Sequence, residues 1–328
     1  MDSAKPENQV LTVYCHNVLA DAWVQYGGEK FYDRGLLDSG LLDAAARRKL
    51  FFRLAAESKA DIICLQEIGL SEAAALSASE LSAAYHITGL AENAVTSAPE
   101  PNGVVVLLRR GVMDPSYETS VVQLGGSTVM GLVKCRRLKG FPHRVIVVNT
   151  HLDWGEEGVE QGRGVLKALR GQRGFDGAAI IWCGDFNKTP DDPFFEEVRA
   201  AGFGDGLDFR PELGSCGCTE KKERLDYALY RGPIVPASED VCPEGFSAGR
   251  SLSATSLLGK FADLADLLRQ TGSDHVPLAV AFHAKGSQGR DQSRELRSTK
   301  GKGRGRQNGP PKKQWRPVAK SEGGGAAD

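Results

Sequence analysis

The stretch AAIIWC (178–183), followed at once by GDFN (184–187), decides the fold. Six small, β-branched and aromatic residues in a row read as a short buried strand. A strand that ends in polar residues delivers their side chains to the rim of a sheet, on a backbone held rigid behind them. The same arrangement recurs along the chain. VLTVYC (10–15) is followed by His16-Asn17, and DIICLQ (61–66) ends in Gln66-Glu67. A strand over 143–149 runs into Asn149-Thr150-His151-Leu152, and strands near 225–230 and 276–283 lie beside Asp226-Tyr227 and Ser273-Asp274-His275.

Between these strands, LLDAAARRKLFFRLAAES (41–58) carries apolar residues at helical spacing, and further helices are predicted over 71–84, 156–170 and 191–201. Strands are predicted over 103–109, 119–124 and 129–137, with Gly125-Gly126 turning a hairpin. Buried strands with helices outside imply an α/β fold, a four-layer α-β-β-α sandwich of two stacked mixed β-sheets flanked by helices. One domain is expected over 10–284, after a flexible N-terminus at 1–9 and before a disordered basic tail at 285–328.

With 328 residues and 41% hydrophobic content the chain can bury a substantial core. No stretch approaches the roughly 18 to 20 apolar residues of a membrane-spanning helix. The opening MDSAKPENQ lacks the apolar core of a secretory signal, so a cytoplasmic or nuclear protein with no membrane insertion is expected. The seven cysteines are odd in number and scattered. Cys15, Cys64 and Cys183 lie in apolar runs and read as buried thiols, while Cys216-Gly-Cys218 lacks the second pair a zinc site needs. The net charge of −1 conceals an asymmetry: residues 1–284 carry 29 basic and 38 acidic groups, and residues 285–328 carry 12 and 4. A tail so rich in Gly, Lys and Arg cannot bury enough surface to offset chain entropy.

Each rim residue alone has an ordinary structural explanation, since Asp and Asn cap helices and turn loops. The ordered set is another matter, because GDFN alone arises by chance in roughly 0.2% of chains this long. The set supplies hard oxygen ligands for magnesium, neutral amides that can orient phosphate, and two histidines for proton transfer or charge stabilisation. That inventory points to phosphodiester hydrolysis.

In order along the chain, Asn17, LQE (65–67), NTHL (149–152), GDFN (184–187), LDY (225–227) and SDH (273–275) resemble the motifs of the endonuclease/exonuclease/phosphatase superfamily, of deoxyribonuclease-I-like fold. The resemblance covers 10–284. It implies Mg2+, with Mn2+ as a substitute, held chiefly by Glu67 with Asn17 nearby and Asp274 reaching it directly or through water. It also implies that Asp185 and Asn187 position the attacking water and the phosphate, that Asp226 orients His275, and that His151 contacts a phosphoryl oxygen. Either Asp185 or His275 takes the proton of the water. Asn17, Asn102, Trp154 and Phe186 are the expected substrate contacts, the two aromatic rings by stacking on a base.

NVLAD (17–21), NGVVVLL (102–108) and THLDW (150–154) are similar to the nocturnin, Angel and carbon-catabolite-repressor deadenylase branch. Apurinic endonucleases place an acid where Leu19 stands. The branch usually carries Arg three residues before Gln161, where this chain has Gly158. The resemblance implies a 3'-5' exoribonuclease acting on single-stranded RNA. A hydrolase of small phosphate esters, such as a nicotinamide dinucleotide phosphate or an inositol phosphate, is the alternative, and a catalytically silent RNA-binding scaffold is a further one. The scaffold is disfavoured because no metal or proton-transfer residue is missing. Removing residues 285–328 is expected to lower RNA affinity and flatten its salt dependence, which binding measured across a salt series checks.

Overall fold

The computed structural model describes residues 10–92, 101–112, 118–123, 129–135, 141, 143–209, 214–217, 222–237 and 261–285, all within the compact unit Met1–Ser287. The chain begins in one sheet with β1 (Val10–Asn17), β2 (Ile62–Gly69), β3 (Tyr85–Ile87), β4 (Ala91–Glu92) and β5 (Asn102–Arg109). It builds a second with β6 (Glu118–Gln123), β7 (Val129–Cys135), β8 (Val145–His151), β9 (Ala179–Asp185), β10 (Gly204–Asp205) and β11 (Asp226–Arg231). It then returns to the first with β12 (Ile234–Pro236) and β13 (Leu278–Ala284). The strand orders are β12-β13-β1-β2-β5-β3, with β4 also on β5, and β10-β11-β9-β8-β7-β6.

Each sheet has one parallel pair at its centre, β1 with β2 and β8 with β9, and its other pairings are antiparallel. Helices make the crossovers between parallel strands, as such connections require. α1 (Asp21–Gly27), α2 (Arg34–Asp38) and α3 (Ala44–Ser58) lie between β1 and β2, and α6 (Gly155–Arg170) between β8 and β9. α4 (Leu70–Ser77), α5 (Leu81–Ala84), α7 (Phe194–Ala200) and α8 (Leu264–Thr271) complete the helices.

Alternate side chains of each central strand enter different cores. Val13, Cys15, Ile62 and Cys64 meet Val145, Val147, Ile181 and Cys183 between the two sheets. The opposite faces pack outward, Ile63 and Leu65 with Phe51 and Ala55 of α3, and Val148 and Trp182 with Val165 of α6 and Phe194 of α7. Strands covered on both faces read as unbroken apolar runs, which is why they stand out in the sequence. The result is the expected α-β-β-α sandwich.

Apolar contact between sheets is non-directional, so their registration comes from polar groups buried in the interface. The Asn149 Nδ2 of β8 donates to the carbonyl oxygens of Leu65 and Val105 in the other sheet, both at 2.9 Å, and its Oδ1 accepts from Gln66 Nε2 at 2.6 Å. Both amide side chains are fully buried. These neutral amides therefore fasten sheet to sheet. Gly184 serves the same closeness within a sheet, because a Cβ there would overlap the Thr150 carbonyl oxygen of β8.

The remaining departures have local causes. The helix predicted from 41 starts at Ala44, where the Asp43 side chain accepts from Ala46 N at 2.8 Å and caps it. The helix predicted over 71–84 is two, broken where Ser77 Oγ and Ser79 Oγ turn back to the carbonyls of Ala73 and Leu76. The strand predicted over 61–66 continues to Gly69 through a register shift between Leu65 and Ile68. Gly125-Gly126 lies outside the described residues, as do 1–9 and 286–328. No helix among the described residues is long and apolar enough to cross a membrane. Cys15, Cys64, Cys183 and Cys216 are buried and form no disulfide among the described residues.

Asn149→Leu keeps the volume and strands three polar groups, which at about 1 kcal/mol or more each predicts a loss of roughly 3 kcal/mol. A lower urea midpoint at an unchanged m-value checks this.

Candidate active site

Strand direction assembles the site. Parallel neighbours end on the same edge, so Asn17 of β1 falls beside Gln66-Glu67 of β2, and His151 of β8 pairs with Asp185 of β9. The antiparallel neighbours start on that edge. Asp226, first in β11, is opposite Asp185, and Asp274-His275 precede β13, whose Leu278 pairs with Cys15 of β1.

Asp185 stands at the centre. Its Oδ2 accepts from Asn17 Nδ2 at 3.0 Å and lies 3.7 Å from His275 Nε2 and 3.9 Å from His151 Nε2. Its Oδ1 accepts from Asn187 N at 2.9 Å. Asn17 Nδ2 also donates to Glu67 Oε1 at 2.8 Å, so one amide joins carboxylates carried by the two sheets. Glu67 Oε2 accepts from Ala20 N at 2.8 Å, and Oε1 lies 3.9 Å from His151 Nδ1. Asn187 Nδ2 donates to the Leu152 carbonyl at 2.7 Å and reaches His151 Nε2 at 3.1 Å. Asp226 Oδ2 accepts from His275 Nδ1 at 2.8 Å. The expected acids, amides and histidines thus converge from both sheets.

Three non-glycine residues with left-handed backbone cluster here, Leu19 (φ 59°), Glu67 (φ 59°) and Asn187 (φ 48°). At Glu67 this conformation falls within the register shift of β2. Such conformations persist only where the surroundings over-determine them.

Sequence reasoning missed several supporting groups. Ser215 Oγ donates to Asp226 Oδ2 at 2.6 Å and accepts from the Leu225 and Asp226 amides. Ser273 Oγ donates to the Asn17 carbonyl at 2.6 Å, and the Tyr32 hydroxyl donates to Asp274 Oδ2 at 3.2 Å. The buried Arg47 guanidinium holds the carbonyls of Val18, Leu19 and Gly272. Nothing in the sequence singled out Arg47, which stands beside Arg48 and Lys49 in a helix that also carries Arg53 and Glu57. His16 is structural, donating to the His275 carbonyl, and burial pushes its pKa down to about 3.

Of the expected substrate contacts, Phe186 is corrected: its ring is fully buried, 4.9 Å from the Trp182 ring and 5.2 Å from that of Tyr227, and belongs to the core under α7. Asn102 begins β5 opposite Gly69 and is buried. Trp154 is 58% exposed.

Glu67, Asp185, Asp226 and Asp274 are all buried, and among the described residues the only ion-pair partners of the first three within 4 Å are His151 and His275. Burial, then the charge of Asp226, pushes the Asp185 pKa up to about 6. Burial works against the His275 cation, but Cys216 and Asp226 outweigh it and hold that pKa well above the ordinary value. Asp226 Oδ1 and Asp274 Oδ1 are buried without a hydrogen-bond partner among the described residues. Buried anionic oxygens in excess fit a divalent cation. One trio, Asp185, Asp226 and His275, has ligand atoms within 4.8 Å of one another.

Two stacked mixed sheets between helices, with carboxylates and histidines gathered on one shared edge, define a deoxyribonuclease-I-like sandwich. The chain belongs to the Endonuclease/Exonuclease/phosphatase family, whose model matches residues 17–275. Members of this family are hydrolytic phosphodiesterases and nucleases, generally dependent on a divalent metal. Similar solved structures include the human nocturnin catalytic domain with bound sulfate, at 17% identity over 84% of this chain and 94% of that one, TM-score 0.59. ANGEL2, described as a 2',3'-cyclic phosphatase, matches at 16% identity over 83% and 95%, TM-score 0.57. D. rerio TDP2 complexed with single strand DNA product matches at 17% identity over 84% and 100%, TM-score 0.55. At these identities the likeness is one of fold. No curated protein matches the chain.

In metal-free protein the Asp185 carboxyl is expected to titrate near pH 6, and His275→Gln, which removes a cationic neighbour, to raise that value. Carbon-13 NMR of labelled aspartate checks both.

Proposed function

We propose that this protein is a Mg2+-dependent phosphodiesterase acting on RNA as a 3'-5' exoribonuclease, by in-line attack of water on phosphorus. The observation that carries the hydrolytic reading is the placement of Asp185 within 4 Å of both histidines and in hydrogen bond with Asn17, the amide it shares with Glu67. Magnesium prefers an all-oxygen shell, so Glu67 and, through its unpartnered Oδ1, Asp274 would hold it, with Asn17 beside them. When bound, it supplies positive charge for the phosphoryl oxygens and lowers the pKa of water.

The protein's own groups divide the remaining work. A carboxyl whose pKa is raised to about 6 is poised to accept a proton near neutrality, which favours Asp185 over His275 as the group that takes the water's proton. His275, kept cationic by Asp226, would stabilise the charge developing on the pentacovalent phosphorus. His151, oriented by Asn187, would donate to a phosphoryl oxygen on the leaving side. Asn17, Asn102 and Trp154 would contact the substrate. A depression of ≈ 430 Å³ is lined by Thr189, Pro190, Asp191, Phe209, Lys222, Glu223 and Arg224.

The RNA reading is supported by the branch motifs and the basic tail. It is tested by comparing 3'-adenylated RNA, other single-stranded RNA, DNA and phosphorylated dinucleotides in one magnesium-dependent assay. A one-nucleotide ladder from the 3' end is expected. Turnover confined to the dinucleotides would move the protein to the small phosphate esters. Glu67→Ala and His275→Ala are expected to abolish hydrolysis in folded protein, and Asp226→Asn to reduce it severely with residual turnover. Chelation of the metal should stop the reaction, and added Mg2+ or Mn2+ should restore it.

A further inference from the structure

Between β8 and α6, the residues that follow His151 belong to no strand, yet they are fastened from two sides. Asp153 N donates to Gln161 Oε1 at 2.8 Å, and Gln161 Nε2 donates back to Asp153 Oδ2 at 2.5 Å. From the other side, Lys188 Nζ donates to the Asp153 carbonyl at 2.9 Å and to the Asn187 carbonyl at 3.3 Å. Lysine is almost never fully buried, because its ammonium is strongly hydrated. Lys188 is nevertheless only 4% exposed.

The room for that ammonium comes from Gly158 in the first turn of α6. A Cβ at 158 would overlap the Asp153 carbonyl oxygen and come within 2.6 Å of Lys188 Nζ. The helix gives up a side chain so that a cation from the GDFN loop can reach across and bind the loop of His151.

The Asp153–Gln161 bonds tie the loop to α6 itself. Trp154 occupies the N-cap and makes no side-chain capping bond, where Ser, Asp or Asn would add about 1 kcal/mol. The anchored segment leads into Trp154, whose indole is the most exposed large hydrophobic side chain among the described residues, three positions past His151.

We propose that Lys188 and Gln161 are positioning residues that hold Trp154 as a preformed stacking platform for an unpaired nucleobase beside the scissile phosphate. The proposal rests on the nucleic-acid reading of the site. An aromatic face stacks any base, and an arm ordered before binding avoids the entropy of ordering it on contact.

The test uses the full chain with Mg2+ and three substrates: a single-stranded oligoadenylate, the same oligomer with an abasic 3' residue, and bis(p-nitrophenyl) phosphate. Trp154→Ala and Lys188→Met are expected to raise KM for the intact oligomer about tenfold, with a far smaller change for the abasic one. Independently of turnover, protein labelled with 5-fluorotryptophan is followed by fluorine NMR, the Trp154 signal being assigned with Trp154→Phe. The oligomer should shift that signal, and Lys188→Met should move or broaden it before any substrate is added. Gln161→Met, which releases the other anchor of Asp153, should do the same and decides the matter where Lys188→Met does not fold. A Trp154 signal unmoved by saturating oligomer overturns the platform. An unchanged signal and KM in the Lys188 and Gln161 variants overturn the positioning role. Absence of hydrolysis on all three substrates would instead overturn the phosphodiesterase reading, whatever the NMR shows.

Discussion

The pairing of one sheet with the other through Asn149 and Gln66 is the constraint on which the site depends. Asn17, Glu67 and His275 belong to the first sheet or its approach, and His151, Asp185, Asn187 and Asp226 to the second. The distances that matter between them are about 3 to 4 Å, a tolerance that apolar packing alone does not set, since it is roughly proportional to area and indifferent to register. Three hydrogen bonds in the dry interface supply the direction. At the rim, Asn17 repeats the device, spending both amide protons on carboxylates from opposite sheets.

Such a rim conflicts with stability. Four carboxylates leave water with little compensating positive charge, and three non-glycine residues adopt left-handed backbone. The fold tolerates this because strands buried on both faces hold the ends in place. A second group of buried polar side chains, Arg47, Ser215, Ser273 and Tyr32, then satisfies the main chain and acids of the rim loops. Binding a cation would relieve the charge conflict, which couples occupancy of the site to stability.

Much of this was legible in the sequence. The central strands announced themselves as apolar runs with polar ends, and Glu67, His151, Asp185, Asp226 and His275 meet as the ordered motifs imply. What escaped was whatever depends on a neighbour distant in sequence. Ser215 and Tyr32 look like loop residues until Asp226 and Asp274 are found against them. Phe186 sits between two site residues, yet alternation along the strand puts its ring on the face of Trp182, in the outer core. Gln66 and Asn149 have the residue type of phosphate-orienting amides but face the sheet interface. The break after Ser77 was hidden because Ala and Leu continue on both sides of it. Gly158, a departure from the branch pattern when read along the chain, becomes intelligible only when Lys188 is seen filling the space beside it.

Division of the site between two sheets has a consequence for how the molecule comes into being. Neither half carries a complete set of groups, so a nascent chain with one sheet formed, or with both formed but not yet docked, holds no competent centre. The constellation therefore exists only while the two sheets are docked, and it reports on their contact more sharply than on the integrity of either sheet alone.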